Sequence, residues 1–289
     1  AGEFGHLKEE YHRFTAKRCL FLIGCSVLIL ALVGIATTLG SADLTIGEVY
    51  AAIISRFFPS LMETSPLATT IVWEYRLHRI LFAIAAGFGL GIAGAVMQGV
   101  LRNPLASPFT LGISAAAAFG ASVVIVFGIG GVTNELAIIV SAFLFTLLAA
   151  FGIYSLSRYR GISPESMILA GIILMYLFSA MTSFLQYVGT MAQLQEVVFW
   201  MFGSLQRTTW GKLALVTVVV SICLPYIMLR SWDLNAMGQG DQVAKSMGVD
   251  VNRTRTRLML LASLITAVII CFTGVIGFIG LVSPHITRL

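Results

Sequence analysis

The sequence predicts an all-α polytopic membrane protein. Three observations carry that prediction: 58% of the 289 residues are hydrophobic, only 11% are charged, and the apolar residues gather into long runs. Mean hydropathy is +0.93. About 20 apolar residues suffice to cross a bilayer as a helix, and this composition marks a membrane chain before any motif is read. The net charge of +5 does not point to nucleic acid. Lys and Arg cluster in the connections between runs, where the positive-inside bias places them. Cys19, Cys25, Cys223 and Cys271 lie in or beside apolar runs without metal-ligand spacing. They read as small apolar side chains, and no metal site is expected.

Residues 1–19 are largely polar and are assigned to the cytoplasmic side; AGEFG at the start reads as a cloning remnant. Residues 20–289 form the transmembrane domain. The run 20–39 exceeds the 7–15 apolar residues of a cleaved signal, so it is a retained first span. Segment 41–74, with Asp43, Pro59 and Pro66, reads as an external loop with one short amphipathic helix. Spans two to six are expected at 80–101, 108–128, 135–157, 165–188 and 211–229. Arg158, Arg160 and Pro164 separate the fourth from the fifth. Segment 193–210 is too short to cross and should lie at the interface, where Trp200 and Trp210 would settle. A polar island at 230–257 precedes an apolar run from 258.

With the N-terminus inside, the inner segments hold Lys8, Arg13, Lys17, Arg18, Arg102, Arg158, Arg160, Arg230, Lys245, Arg253, Arg255 and Arg257. The outer ones hold Arg56, Arg76, Arg79, Arg207 and Lys212. The bias sets the N-terminus in the cytoplasm.

Gly89, Gly91 and Gly94 spell the dinucleotide fingerprint G-x-G-x-x-G, but inside an apolar helix rather than after a strand. Gly87 and Gly91 have the small-xxx-small spacing of touching membrane helices, and helix packing accounts for the glycines. The spans hold almost no ionisable groups, whereas proton-coupled carriers keep such groups at mid-membrane. With no Walker-type G-x-x-x-x-G-K-[ST], an uphill transporter of this sequence would draw energy from a partner.

The stretch 231–252 is where a partner could act. Asp233 and Asp241 each suit the N-cap of a short helix, ending at Gly238 and Gly248. Val243 and Met247 fall four apart on one face. Two readings stay open: a docking knob, or a solvated loop packed on its own spans. His285, in GFIGLVSPHITRL, has no second ligand near it in sequence and reads as a structural hydrogen-bonder.

RLHR, GxxxQGxxRNPLASPFTLGIS, FWMFGSL, GDQVAKSMGV and GFIGLVSPHITRL occur in that order. This set closely resembles the permease subunits of ATP-binding-cassette importers for iron–siderophore complexes, haem and cobalamin, over nearly all of 20–289. The resemblance implies the ten-helix type II importer permease fold, here ending after the eighth helix, with the run after 258 split into two helices, the second from about Gly277. It also implies a homodimer or pseudo-dimer, two ATPase subunits that bind the ATP and Mg, and an extracytoplasmic substrate-binding protein, in the inner membrane of a prokaryote. By motif, Arg76 and Arg79 would dock the binding protein. Asp241, Val243, Ala244, Met247 and Gly248 would form the ATPase-coupling helix. Asn103, Pro104 and Leu105, with Ser163, Pro164 and Glu165, would form the cytoplasmic gate, and the fifth span would line the pathway. His78 stands where the family usually has proline.

The resulting expectation is a non-enzymatic permease of a metal-chelate importer, with no catalytic residue, bound metal or cofactor of its own. Its rivals are a molybdate- or tungstate-type oxyanion importer of the same fold and a secondary transporter or channel. For Arg76 and Arg79 the plainer reading is that they snorkel to lipid headgroups.

Overall fold

The computed structural model describes residues 2–40, 42, 44–58, 64–129, 134–159 and 163–288, with side chains from residue 12 onward except at 14. Asp43, Pro59, Arg160 and Leu289 lie outside the described residues, as does the side chain of Lys8. The described residues contain helices and connections and no strand. The chain divides into two compact units, Ala1–Ile80 and Leu81–Leu289.

In the first unit, α1 runs Gly2–Thr38, so the polar N-terminal segment continues the span as helix. The apolar part, Thr15–Thr38, is long and apolar enough to cross a membrane. Helix α2, Ile46–Phe57, is the anticipated amphipathic helix. Thr45 and Glu48 close a capping box at its start, the Glu48 carboxylate accepting the Thr45 N–H at 2.8 Å. The backbone and hydroxyl of Thr45 hold that carboxyl below its ordinary pKa. The cap is therefore in place above the usual carboxylate range and is lost as pH falls through the lowered value. Val49 and Ala52 on its inner face pack on Val72, and the Trp73 indole donates to the Ala52 carbonyl at 3.0 Å.

The second span begins earlier than the charges suggest. Helix α3, Pro66–Thr70, passes through a π-helical stretch, Ile71–Leu77, into α4, His78–Leu101. Proline at the first helical position starts the run. Glu74, Arg76 and Arg79, expected in or beside a loop, ride on this helix. Arg76 donates to the carbonyls of Thr37 (2.8 Å), Thr38 (3.0 Å) and Ala42 (2.6 Å). Those include the orphan acceptors at the end of α1, so one arginine caps another helix across the unit.

The second unit continues along α4 into α5 (Ile113–Phe127), α6 (Glu135–Tyr159), α7 (Pro164–Val188) and α8 (Met191–Met201). A 3₁₀ turn, Leu205–Arg207, leads to α9 (Trp210–Leu229), followed by α10 (Ser231–Gly238), α11 (Asp241–Ser246), α12 (Val251–Thr273) and α13 (Ile279–Ile286). The expected third span at 108–128 shrinks to the 15 residues of α5. Residues 108–112 form hydrogen-bonded turns ending at Gly112, whose φ is +74°. Helix α12 starts inside the island, at Val251, because Asp250 caps it by accepting the Arg253 N–H.

Helix α12 is the axis of this unit. In its apolar window 72% is buried, against 28% for α6 and α9 and 33% for α7. Leu258, Ala262, Ile265 and Ile269 pack with Ala93 and Met97 of α4 and Val216 and Val220 of α9. Span hydroxyls turn back on their own helices: Ser122 on Ala118, Thr146 on Ala142, Thr182 on Phe178 and Thr266 on Ala262.

Two close approaches set the packing. A Cβ at Gly94 would overlap the Gly280 carbonyl, so α4 and α13 touch backbone to backbone. Gln98 fastens the contact, donating to Leu281 O at 3.2 Å and accepting from Arg288 at 2.9 Å. A Cβ at Gly87 would meet nothing within 4 Å among the described residues, whereas one at Gly89 or Gly91 would press on Ile269 or Ser283. The second approach is at the break after α12. Gly274 has φ +77°, and a Cβ there would strike the Trp200 carbonyl. Ser204 N–H donates to Thr273 O at 2.6 Å across the break. This places Trp200 inside the protein, 3% exposed and packed with Ile270 and Cys271.

Gly94→Ala should cost about 1–3 kcal/mol by overpacking, seen as a lower thermal midpoint in detergent, whereas Gly87→Ala should leave the midpoint unchanged or raised. Arg76→Ala should cost about 1–3 kcal/mol through unsatisfied carbonyls and speed amide exchange in the last turn of α1.

Candidate docking and gate surfaces

Helices α10 and α11 pack through Ala236, Met237 and Ala244 against Val251 at the start of α12. Leu234 lies against Gly99 in the last turn of α4. With Ala244 fully buried, Val243 and Met247 point the other way, 46% and 67% exposed. Both apolar side chains of the expected stripe therefore stand free on the surface. Gly248 ends the segment with φ +86°.

Neither aspartate is the N-cap expected from its position. Helix α10 starts at Ser231 after Arg230, and Asp233 pairs with Arg230 at 2.8 Å. That pairing, ahead of a weaker contribution from Tyr226, raises the arginine's pKa further. Helix α11 is preceded by Gly240 and has no side-chain cap. Asp241 is its first residue, and its carboxylate is taken by arginines: the wholly buried Arg255 of α12 at 2.8 Å and Arg102 at 3.5 Å, both to Oδ1. A guanidinium buried this deeply needs a paired charge, and that need outweighs capping.

Arg102 sits at the turn that ends α4. Asn103 N–H bonds Gln98 O and Arg102 N–H bonds Gly99 O, the pair of bonds that defines a Schellman cap. The residue at this left-handed position is usually glycine, yet here Arg102 holds φ +49°. An L-residue there costs about 1–2 kcal/mol. Sequence reasoning counted Arg255 only as an inner charge, and Arg102 as an inner charge in the polar break that stops the second span. The usable signal was the helical period: of Arg253, Arg255 and Arg257, only Arg255 faces the core.

The residues expected to form the gate flank this cluster. Asn103 Oδ1 accepts the Leu105 N–H at 2.9 Å, folding the turn so that Pro104 and Leu105 are exposed. Ser163 and Ser166 close a capping box on α7, with Pro164 buried and Glu165 exposed at its first turn. Glu165 is within electrostatic reach of both Arg102 and Asp241. The structure thus brings the two expected gate segments and the start of α11 to one place. Beyond the turn, a cavity of about 350 Å³ between α5 and α7 is lined by Phe109, Ser114, Met175, Tyr176, Ser179 and Gln186 among others, with no charged side chain.

In the first unit, Arg79 stands over the Tyr75 ring at 6.0 Å, while Arg76 is committed to the carbonyls already described. The two arginines differ in surroundings although they are three apart in sequence.

The sequence profile of the FecCD transport family matches residues 27–289. A protein of Methanocaldococcus jannaschii assigned as an ABC transporter permease is 39% identical over 292 residues, covering 98% of this chain and 82% of that protein. The molybdate import permease of Haemophilus influenzae is 31% identical over 274 residues, covering 93% and 78%. A solved structure described as an inward-facing metal-chelate type ABC transporter matches with a TM-score of 0.79 at 30% identity, covering 93% of this chain and 80% of that one. Taken with the helical fold and the ordered motifs, these matches establish that the chain belongs to the FecCD transport family of ABC transporter permeases.

Proposed function

We propose that this chain is the membrane-spanning subunit of an ATP-driven importer that moves a metal chelate into the cytoplasm. The observation that carries the reading is the α10–α11 knob, where Val243 and Met247 stand exposed over a buried Ala244. Exposed apolar side chains on a short polar helix are what a partner protein would cover. The partner is a separate ATPase, which holds the nucleotide and Mg, two copies serving a pair of permeases. In this reading the N-terminus and residues 231–252 are cytoplasmic, and an extracytoplasmic binding protein delivers the cargo. Docking of that protein falls mainly to Arg79, because Arg76 already serves three carbonyls.

A chelate as cargo is favoured by the likeness to a metal-chelate type transporter and by the uncharged lining of the α5–α7 cavity. A large complex whose metal charge is already neutralised by its chelator needs shape and apolar contact rather than ion pairing. The second reading, an oxyanion cargo, is favoured by the molybdate permease of Haemophilus influenzae.

Val243→Asp combined with Met247→Asp should abolish co-purification of the ATPase, since the contact would bury unpaired charge; normal co-purification and uptake would remove this docking surface. In a background lacking the exposed Cys19, Gln239→Cys should resist an impermeant thiol reagent applied from outside, while Thr209→Cys should react. The reverse pattern would invert the orientation.

A further inference from the structure

We propose that Arg102 is a positioning residue that couples movement of α11 to the gate turn through Asp241. The proposal deepens the permease reading and rests on it for the identity of the ATPase side. Three observations point to it. Arg102 occupies a left-handed cap position that glycine fills without strain, so the side chain and not the backbone accounts for its presence. Its side chain, 34% exposed, reaches across the α10–α11 turn, the guanidinium coming within 3.7 Å of where a Gly240 Cβ would stand. It ends 3.5 Å from the same Asp241 oxygen that Arg255 holds at 2.8 Å.

The two contacts are unequal in a useful way. Arg255 is buried and close, and fixes the start of α11 to α12. Arg102 is longer and partly wet, beyond ordinary hydrogen-bond distance, and is the half that can open and close. Asn103, Pro104 and Leu105 follow Arg102 directly, with Asn103 Oδ1 bonded to Leu105 N–H. A displacement of α11 that shortens or breaks the Arg102 contact is thereby delivered to the turn leading into α5. The pair acts as a latch whose strength depends on the position of the docking helix.

The test uses the assembled transporter in vesicles, comparing wild type with Arg102→Gly and Arg102→Lys for uptake, ATP hydrolysis and thermal midpoint. Glycine suits the cap, so Arg102→Gly should keep or raise the midpoint and retain the ATPase. Uptake per ATP hydrolysed should fall by about two- to fivefold, the upper part of the range for a partly exposed ion pair, and Arg102→Lys should recover most of it. Unchanged uptake per ATP in Arg102→Gly would overturn the latch and leave the permease reading standing. Loss of ATPase binding in that variant would also overturn it, by making Arg102 part of the docking surface. A wild-type chain that binds no ATPase would remove the permease reading and the latch together. Arg102→Asn, which also tolerates the left-handed cap, repeats the measurement with the same expected loss should the glycine variant fail to fold.

Discussion

Hydrocarbon offers no hydrogen bonds, and that constraint governs what this chain can do. Every backbone donor and acceptor within the bilayer must find a partner inside the protein, so the spans are helices and their hydroxyls fold back on the preceding turn. Where the helical ladder stops, protein groups take over. Arg76 closes the end of α1, and the break after α12 is satisfied by the turn at Gly203–Ser204. Irregular backbone is tolerated only where another segment covers it.

Because lipid is as apolar as a leucine side chain, burial of apolar surface does not by itself bring helices together in the membrane. Close packing does, which is why glycines sit where α4 meets α13 and where α12 breaks. Helix α12 profits most from this and becomes the axis of the second unit. Its N-terminal end carries the buried Arg255 to Asp241. The packed axis and the surface helix α11 are thus joined by a charge pair, and the Arg102 turn shares the same carboxylate.

Most of the fold was legible in hydropathy. The spans at 20–39, 135–157, 165–188 and 211–229 return as helices with ends shifted by a few residues, apart from the earlier start of α1. The departures have separate causes. Arg76 and Arg79 were placed where a loop meets the second span and Arg253 in the polar island, yet helices run through all three, with carbonyl contacts, a ring face and an ion pair beside the guanidinium groups. Residue type alone did not show that Trp200 is covered by protein, packed beside the Gly274 break.

What the sequence by itself determined is whatever depends on local composition and order: an all-helical membrane chain, its connections, and the motifs that mark its family. The exposed Val243–Met247 face was legible as a pattern because a helical period is local. The tertiary structure alone decided which charges meet. Asp241, read as a cap, became the shared partner of Arg102 and Arg255. The reason is physical: a cap needs only neighbours in sequence, whereas a buried guanidinium is compensated by whichever carboxylate the packing of distant helices brings within reach.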